Sequence, residues 1–319
     1  MIRLLIALLA KLFKPEFYKI LPSSSNVLTV DDMYKNPKYT LVTVEVLEGN
    51  LDVHLAKKKY DSLAFETRCF ITHWAGYTFW QKDEKFNIDN HVSCYHQTGA
   101  VDEKELHKIK LELLNRPFTR NKSPWEVLIV KNFEPDLDNN AHVVDKNKEY
   151  TAVVIRFHHS MVDGFSVIKQ FEKPLITKVA VNTKKPLGWP HSSNKENDRF
   201  QRLWHLIKLI VYGPIELIID HMSYTEDHDW SNSRNPYTRD YFLSRPFSIK
   251  LSYLKQLKSN LKVSFSAVTL AACAGAVRSA MLKQKRRLPK TIQILVPTLL
   301  PGHPDDCCTN HLYVFKVNL

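Results

Sequence analysis

Cysteine is sparse and unpatterned in this chain. The five cysteines, Cys69, Cys94, Cys273, Cys307 and Cys308, show neither CxxC spacing nor a dense framework. A disulfide scaffold and a zinc site are therefore not expected, and the residues suit the cytosolic side of a membrane. An uninterrupted apolar run long enough to span a bilayer is also missing. The most hydrophobic long segment, Leu203 to Ile219, contains His205, Lys208, Glu216 and a Gly213-Pro214 pair, which argue against a spanning helix. It reads either as two short amphipathic helices facing lipid or as an ordinary core helix. No internal repeat and no low-complexity tract occurs. The densest basic cluster, Lys283, Lys285, Arg286, Arg287 and Lys290, comes without a nucleic-acid fold motif, so nucleic acid is not an expected partner.

What is present is an ordinary globular composition, 44% hydrophobic and 24% charged over 319 residues, enough for two modest domains. Lys plus Arg exceed Asp plus Glu by 12, an excess that favours anionic partners such as acidic headgroups or a phosphorylated cosubstrate. The N-terminus, MIRLLIALLAKLF, resembles a short signal core but has no small-residue cleavage site after it. As a helix it measures about 20 Å, short of the roughly 30 Å hydrocarbon core, so it is expected to lie in the interface.

Alternation predicts a strand over residues 39–48, followed by a short helix over 51–62. Further strands are expected over 86–97, 125–133 and 150–157, with a helix over 101–114 and a long hairpin loop over 134–149. The last of these strands runs into HHSMVDG, residues 158–164, and apolar spacing at Phe165, Val167, Ile168 and Phe171 predicts a helix behind it. Residues 177–197 carry Lys, Pro, Ser and Asn without periodicity and mark a linker. Beyond it, 266–281 reads as a closely packed helix capped by Ser264 or Ser266, and 291–296 and 311–319 read as strands. The expected division is a membrane-associated segment 1–25, a domain 26–176, a linker 177–200 and a second domain 201–319.

HxxxDG is expected by chance roughly 0.02 times in a chain of this composition. Activating a hydroxyl needs a base for its proton, and a neutral histidine suits that task near pH 7. His159 is the candidate base. Asp163 would fix the turn through hydrogen bonds or an ion pair, and Gly164 would leave room for substrate or backbone. Read as residues alone, His158 and His159 also fit hydrogen-bonded loop positions or two metal ligands without a third.

The HHSMVDG run is similar to the motif of the CoA-dependent acyltransferase superfamily. FNIDNHV at 86–92, the Ser123-Pro124-Trp125 block within NRPFTRNKSPWEVLIV, and LAACAGAVR at 270–278 resemble segments of the wax ester synthase/diacylglycerol acyltransferase family. These stretches keep the family's order over residues 68–319. The resemblance implies an α/β (α+β) fold, a chloramphenicol-acetyltransferase-like mixed sheet flanked by helices, in two lobes. It implies that His159 deprotonates a long-chain alcohol or diacylglycerol, whose oxygen attacks acyl-CoA directly. Acyl-CoA is then a cosubstrate with no bound cofactor and no metal. His158, Gly164, Pro124, Trp125, Ser266 and Asn310 become motif or substrate-proximal positions, and a membrane-associated protein is expected, its site facing the cytosol, at the endoplasmic reticulum or plasma membrane if the source is eukaryotic. Three departures stand out, one being that the family's later Arg-bearing segment is matched only loosely by VPTLLPGHPDD at 296–306. Ser266-Ala267 occupies the place of the family's Asn-Asp pair, and the chain stops at Leu319 just after a strand, leaving the second lobe incomplete. These support alternative expectations: a truncated, non-catalytic acyl-CoA- or lipid-binding relative, or an acyltransferase for a small alcohol or amine.

Overall fold

The computed structural model describes residues 2–97, 99–136, 145, 147–172, 175, 204, 207, 208, 210–215, 218, 243, 249–300, 302–304 and 306–318. Packing divides the chain into two compact units, neither contiguous in sequence. The first comprises residues 1–180, 238–248 and 302–313; the second comprises 181–237, 249–301 and 314–319. Residues 302–313, which a linear division assigns to the C-terminal domain, thus belong to the first unit. The expected linker at 177–200 lies outside the described residues.

Along the first unit run α1 (Ile2–Phe13), β1 (Phe17–Ile20), α2 (Ser23–Asn26), β2 (Thr40–Glu48), α3 (Val53–Asp61), β3 (Cys69–Trp74), β4 (Tyr77–Lys82), β5 (Val92–Cys94), β6 (Val101–Asp102), α4 (Glu103–Asn115), β7 (Trp125–Val130), β8 (Phe133–Glu134), β9 (Tyr150–His158) and α5 (Gly164–Val167). A four-stranded mixed sheet in the order β2-β9-β7-β5 forms its centre. β9 lies antiparallel to β2, from Thr40↔His158 to Glu48↔Tyr150, and antiparallel to β7, while β5 runs parallel to β7.

All nine residues of β9 are buried, which explains why apolar residues occupy both of its faces from Ala152 to Ile155. Because side chains alternate across a strand, Val153, Ile155 and Phe157 enter one core with Tyr60, Trp125, Met161 and Phe171. Ala152 and Val154 enter the other, against Leu106, Ile109 and Leu113 of α4. On that second face the strand turns polar at Arg156 and His158, at the end where the motif begins.

Several boundaries shift for local reasons. Asp102 accepts from the Glu105 amide and caps α4, so the helix starts at Glu103 and not at Val101. The strand expected over 86–97 is the short β5, preceded by a 3-10 turn in which Asn87 accepts from the Asp89 amide. The strand expected through Phe133 stops at Val130, and Asn132 has φ +52° before β8. The hairpin β3–β4 turns through Ala75 and Gly76, at φ +48° and +75°, the left-handed pair a two-residue loop requires. With β1 it makes a separate three-stranded sheet.

The second unit contains α6 (Leu251–Leu261), α7 (Phe265–Lys283) and β10 (Gln293–Leu299), with β10 paired to β11 (Leu312–Asn318), most of which also belongs to this unit. Ser264 caps α7 by accepting from the Ala267 amide, which decides between the two expected capping serines. Residues 211–215 are helical, so Gly213-Pro214 does not interrupt that segment as expected. Of the described helices, α7 alone is long and apolar enough to cross a membrane by length and composition.

Candidate active site

The site is the turn joining β9 to α5. β9 delivers His158 on the polar end of its face, and the chain reverses through 159–163 before Asp163 caps α5 by accepting from the Ser166 amide at 2.9 Å. Pro124 holds the end of the strand, its carbonyl accepting from the His158 amide at 2.9 Å. On the other side the Tyr39 carbonyl accepts from the His159 amide at 2.8 Å.

The two adjacent histidines have different surroundings. His158 is fully buried. Its Nδ1 lies 2.7 Å from Ser160 Oγ, and its Nε2 lies 3.2 and 3.3 Å from the Asp31 carboxylate oxygens. Tyr39 and Phe118 meet its ring edge-on. Burial raises the Asp31 carboxyl, but the hydrogen bond and charge of His158, with the amides of Lys38 and Tyr39, outweigh it and hold the group below its ordinary value.

His159 is only partly buried. Its Nδ1 is 3.0 Å from the Val162 carbonyl oxygen. A carbonyl only accepts, so in the neutral ring Nδ1 carries the hydrogen and Nε2 carries the lone pair. Among the described residues no hydrogen-bond partner occupies Nε2. The turn thus fixes the tautomer of the neutral ring through the Val162 carbonyl.

Asp163 is 1% exposed and is held from two directions. Besides the Ser166 amide it accepts from the His311 amide at 2.8 Å, and His303 Nε2 lies 3.0 and 3.1 Å from its oxygens. Its own amide donates to the Thr309 carbonyl at 3.1 Å. Asn310 completes this closure: its Nδ2 donates to the His159 carbonyl at 2.7 Å and to Ser25 Oγ at 3.0 Å. The segment 302–313 thus grips the histidine turn.

Of the positions singled out in the sequence, His158, His159, Asp163, Gly164, Pro124 and Asn310 come together here. Trp125, expected near the substrate, is packed in the core. It is 1% exposed, its Nε1 donates to the Thr67 carbonyl at 2.7 Å, and its ring stacks on His91 at 4.7 Å. A large indole facing the sheet's main core is there because its area and its one donor are both satisfied. Gly164 is also corrected in part: a Cβ there would meet nothing within 4 Å and its φ is not left-handed, so no close backbone approach explains it. Ser266 lies exposed in the first turn of α7, in the other unit. Asp31, Ser160, His303 and His311 were missed. Ser160 lies inside the motif, but nothing local in the sequence marks the other three, which reach the turn only through tertiary contact.

Among the described residues, no group of three or more His, Cys, Asp or Glu side chains is arranged to hold a metal ion.

Comparison with known proteins fits this geometry. Residues 71–211 match the model of the wax ester synthase/diacylglycerol acyltransferase catalytic domain. The O-acyltransferase WSD of Acinetobacter baylyi is 22% identical over 265 residues, 76% of this chain and 54% of that protein. The chain therefore spans about half the length of that relative. A wax ester synthase/diacylglycerol acyltransferase from Marinobacter aquaeolei superposes with TM-score 0.50 at 13% identity, covering 89% of this chain and 64% of the other. The starter condensation domain of rhizomide synthetase, solved with C8-CoA, gives TM-score 0.60 at 13% identity over 98% of this chain and 68% of its own. These likenesses establish the mixed α/β fold of the chloramphenicol-acetyltransferase type. Over residues 71–211 the chain is thus similar to the catalytic domain of the wax ester synthase/diacylglycerol acyltransferase family.

Proposed function

We propose that this protein transfers a fatty acyl group from acyl-CoA to the hydroxyl of a lipid alcohol, a long-chain alcohol or diacylglycerol. The observation that carries the reading is the His159 ring, with Nδ1 committed to the Val162 carbonyl at 3.0 Å and Nε2 available. In this reading Nε2 takes the hydroxyl proton as the oxygen attacks the thioester carbonyl. Collapse of the tetrahedral intermediate breaks the C–S bond, and the leaving CoA sulfur recovers the proton from His159. Because the thioester carries its own leaving group, the step uses no bound cofactor. His158 and Asp163 hold the turn and do not touch the reacting atoms.

A membrane surface is the proposed setting. On α1 the large residues Ile2, Leu4, Leu5, Leu8, Leu12 and Phe13 are 56–75% exposed, whereas Ala10 is 2% exposed. The helix thus turns its apolar side outward, with Lys11 and Lys14 beside it. At 12 residues it is about 18 Å long, too short to span but suited to lying among headgroups. That the site faces the cytosol belongs to the same proposal.

The test is transfer of labelled palmitate from palmitoyl-CoA to hexadecanol and to dioleoylglycerol. His159-dependent product is expected, with His159→Ala losing on the order of 10²- to 10⁴-fold in rate. The preferred acceptor then decides between wax ester and triacylglycerol. Folded protein that binds palmitoyl-CoA yet forms no ester would replace this reading with a non-catalytic acyl-CoA-binding one.

A further inference from the structure

Asp163 poses a charge problem. A carboxylate this deeply buried is costly unless amides and an opposite charge compensate it. The Ser166 and His311 amides supply two hydrogen bonds, but an amide carries no net charge. Among the described residues neither Lys nor Arg forms an ion pair with Asp163; the basic side chain at ion-pair distance is His303, charged only when protonated and 6% exposed.

The ring of His303 is surrounded so that its protonation can be read from geometry. Nε2 faces the Asp163 carboxylate at 3.0 and 3.1 Å, and Nδ1 faces the Pro304 carbonyl oxygen at 2.7 Å. Both partners accept and neither donates. A neutral imidazole would press a lone pair against one of them, and the doubly protonated ring satisfies both. The nearby Ser166 Oγ does not alter this, since it donates to the Thr309 carbonyl at 3.0 Å. Phe165 meets the ring at 4.7 Å and His311 at 5.6 Å, both edge-on, which fixes its plane.

We propose that His303 is a positioning residue for acyl transfer: as an imidazolium it is the counter-ion of Asp163 and locks the 159–164 turn that aims His159. The kinetic part of this inference rests on the acyl-transfer reading; the charge pairing and its hold on the turn do not. His303 touches neither substrate nor the reacting atoms. It acts through Asp163, whose amide and carboxylate bind the turn to the segment 302–313.

The test has two arms on the full chain. With ¹⁵N-histidine labelling, NMR at neutral pH is expected to show both nitrogens of His303 protonated, the ring reverting to one protonated nitrogen in Asp163→Asn. In His303→Gln the Nδ1 proton of His159 is expected to lose its protection from exchange. A His303 ring with one bare nitrogen in the wild type, or a His159 proton indifferent to His303→Gln, overturns the proposal whether or not the protein forms ester. In the kinetic arm, His303→Gln lowers kcat about tenfold or more with KM for palmitoyl-CoA changed less than about twofold, and His303→Arg, which restores a cation with donors, recovers most of the loss. A folded His303→Gln with wild-type kcat also overturns it. Absence of ester from the wild type sinks the acyl-transfer reading and leaves the NMR arm to decide the pairing.

Discussion

Asn310 Nδ2 donates to the backbone carbonyl of His159 at 2.7 Å across 151 residues of chain. The same amide reaches Ser25 Oγ, and the Asn310 carbonyl accepts from Ser24 Oγ. One side chain therefore joins the segment after α1, the histidine turn and the returning segment 302–313.

Replacing Asn310 with Ala leaves the His159 carbonyl without this donor. A buried group stripped of its partner costs about 1–3 kcal/mol. Urea unfolding should show a loss of that order, and ester formation should fall more than binding of palmitoyl-CoA does. Wild-type stability with wild-type turnover in Asn310→Ala would show that the turn is held without it.

The Asp31–His158 pair predicts acid sensitivity. The Asp31 carboxyl sits below its ordinary value of 3.8, so the folded state binds its proton less readily than the unfolded chain does. The resulting stabilisation is complete above about pH 3.8 and is lost as pH falls through the lower folded value. Asp31→Asn should flatten the acid limb of a stability–pH curve; an unchanged limb would assign acid unfolding to other carboxylates.

Glu45 on β2 behaves in the opposite sense. Burial, and then the charge and hydrogen bond of Glu172, push its carboxyl up to about 7. Here the folded state holds a proton that the unfolded chain has released, so stability declines as pH rises from about 4.5 towards 7. Glu45→Gln should be less sensitive to pH over that window and more stable than the wild type above it, as read by thermal unfolding at a series of pH values.

The outward face of α1 predicts lipid binding. Leu4→Glu combined with Leu8→Glu should reduce sedimentation with phosphatidylserine-containing vesicles by at least about tenfold, while circular dichroism stays unchanged because both side chains are more than half exposed. Undiminished sedimentation would place lipid contact elsewhere.

The sequence was most informative where local patterning and burial agree. The apolar run of β9 and the stripe of α4 were legible because each element's environment is written in its own residues, whereas α7 forms as a helix without the close packing expected of it, only Val268 and Met281 being buried. The hairpin of β3 and β4 was not singled out. CFITHW and YTFWQK mix aromatic and polar residues without clean alternation, and their order comes from pairing with each other and with β1. For Trp125, too, the surroundings are not local: only the core shows what its ring packs against.

By itself the sequence determined that a strand would deliver His158 and His159 into a turn closed by Asp163, because HxxxDG and the flanking periodicities are local. Only the tertiary structure decided that His158 is buried against Asp31 while His159 commits Nδ1 to the Val162 carbonyl, and that His303 and Asn310 close on the turn from 140 and 151 residues away. Such contacts join segments whose separation carries no periodic signal. They arise when the folded core brings residues 302–313 back to the first unit, and the burial of Asp163 then requires a partner that its neighbours in the chain cannot supply.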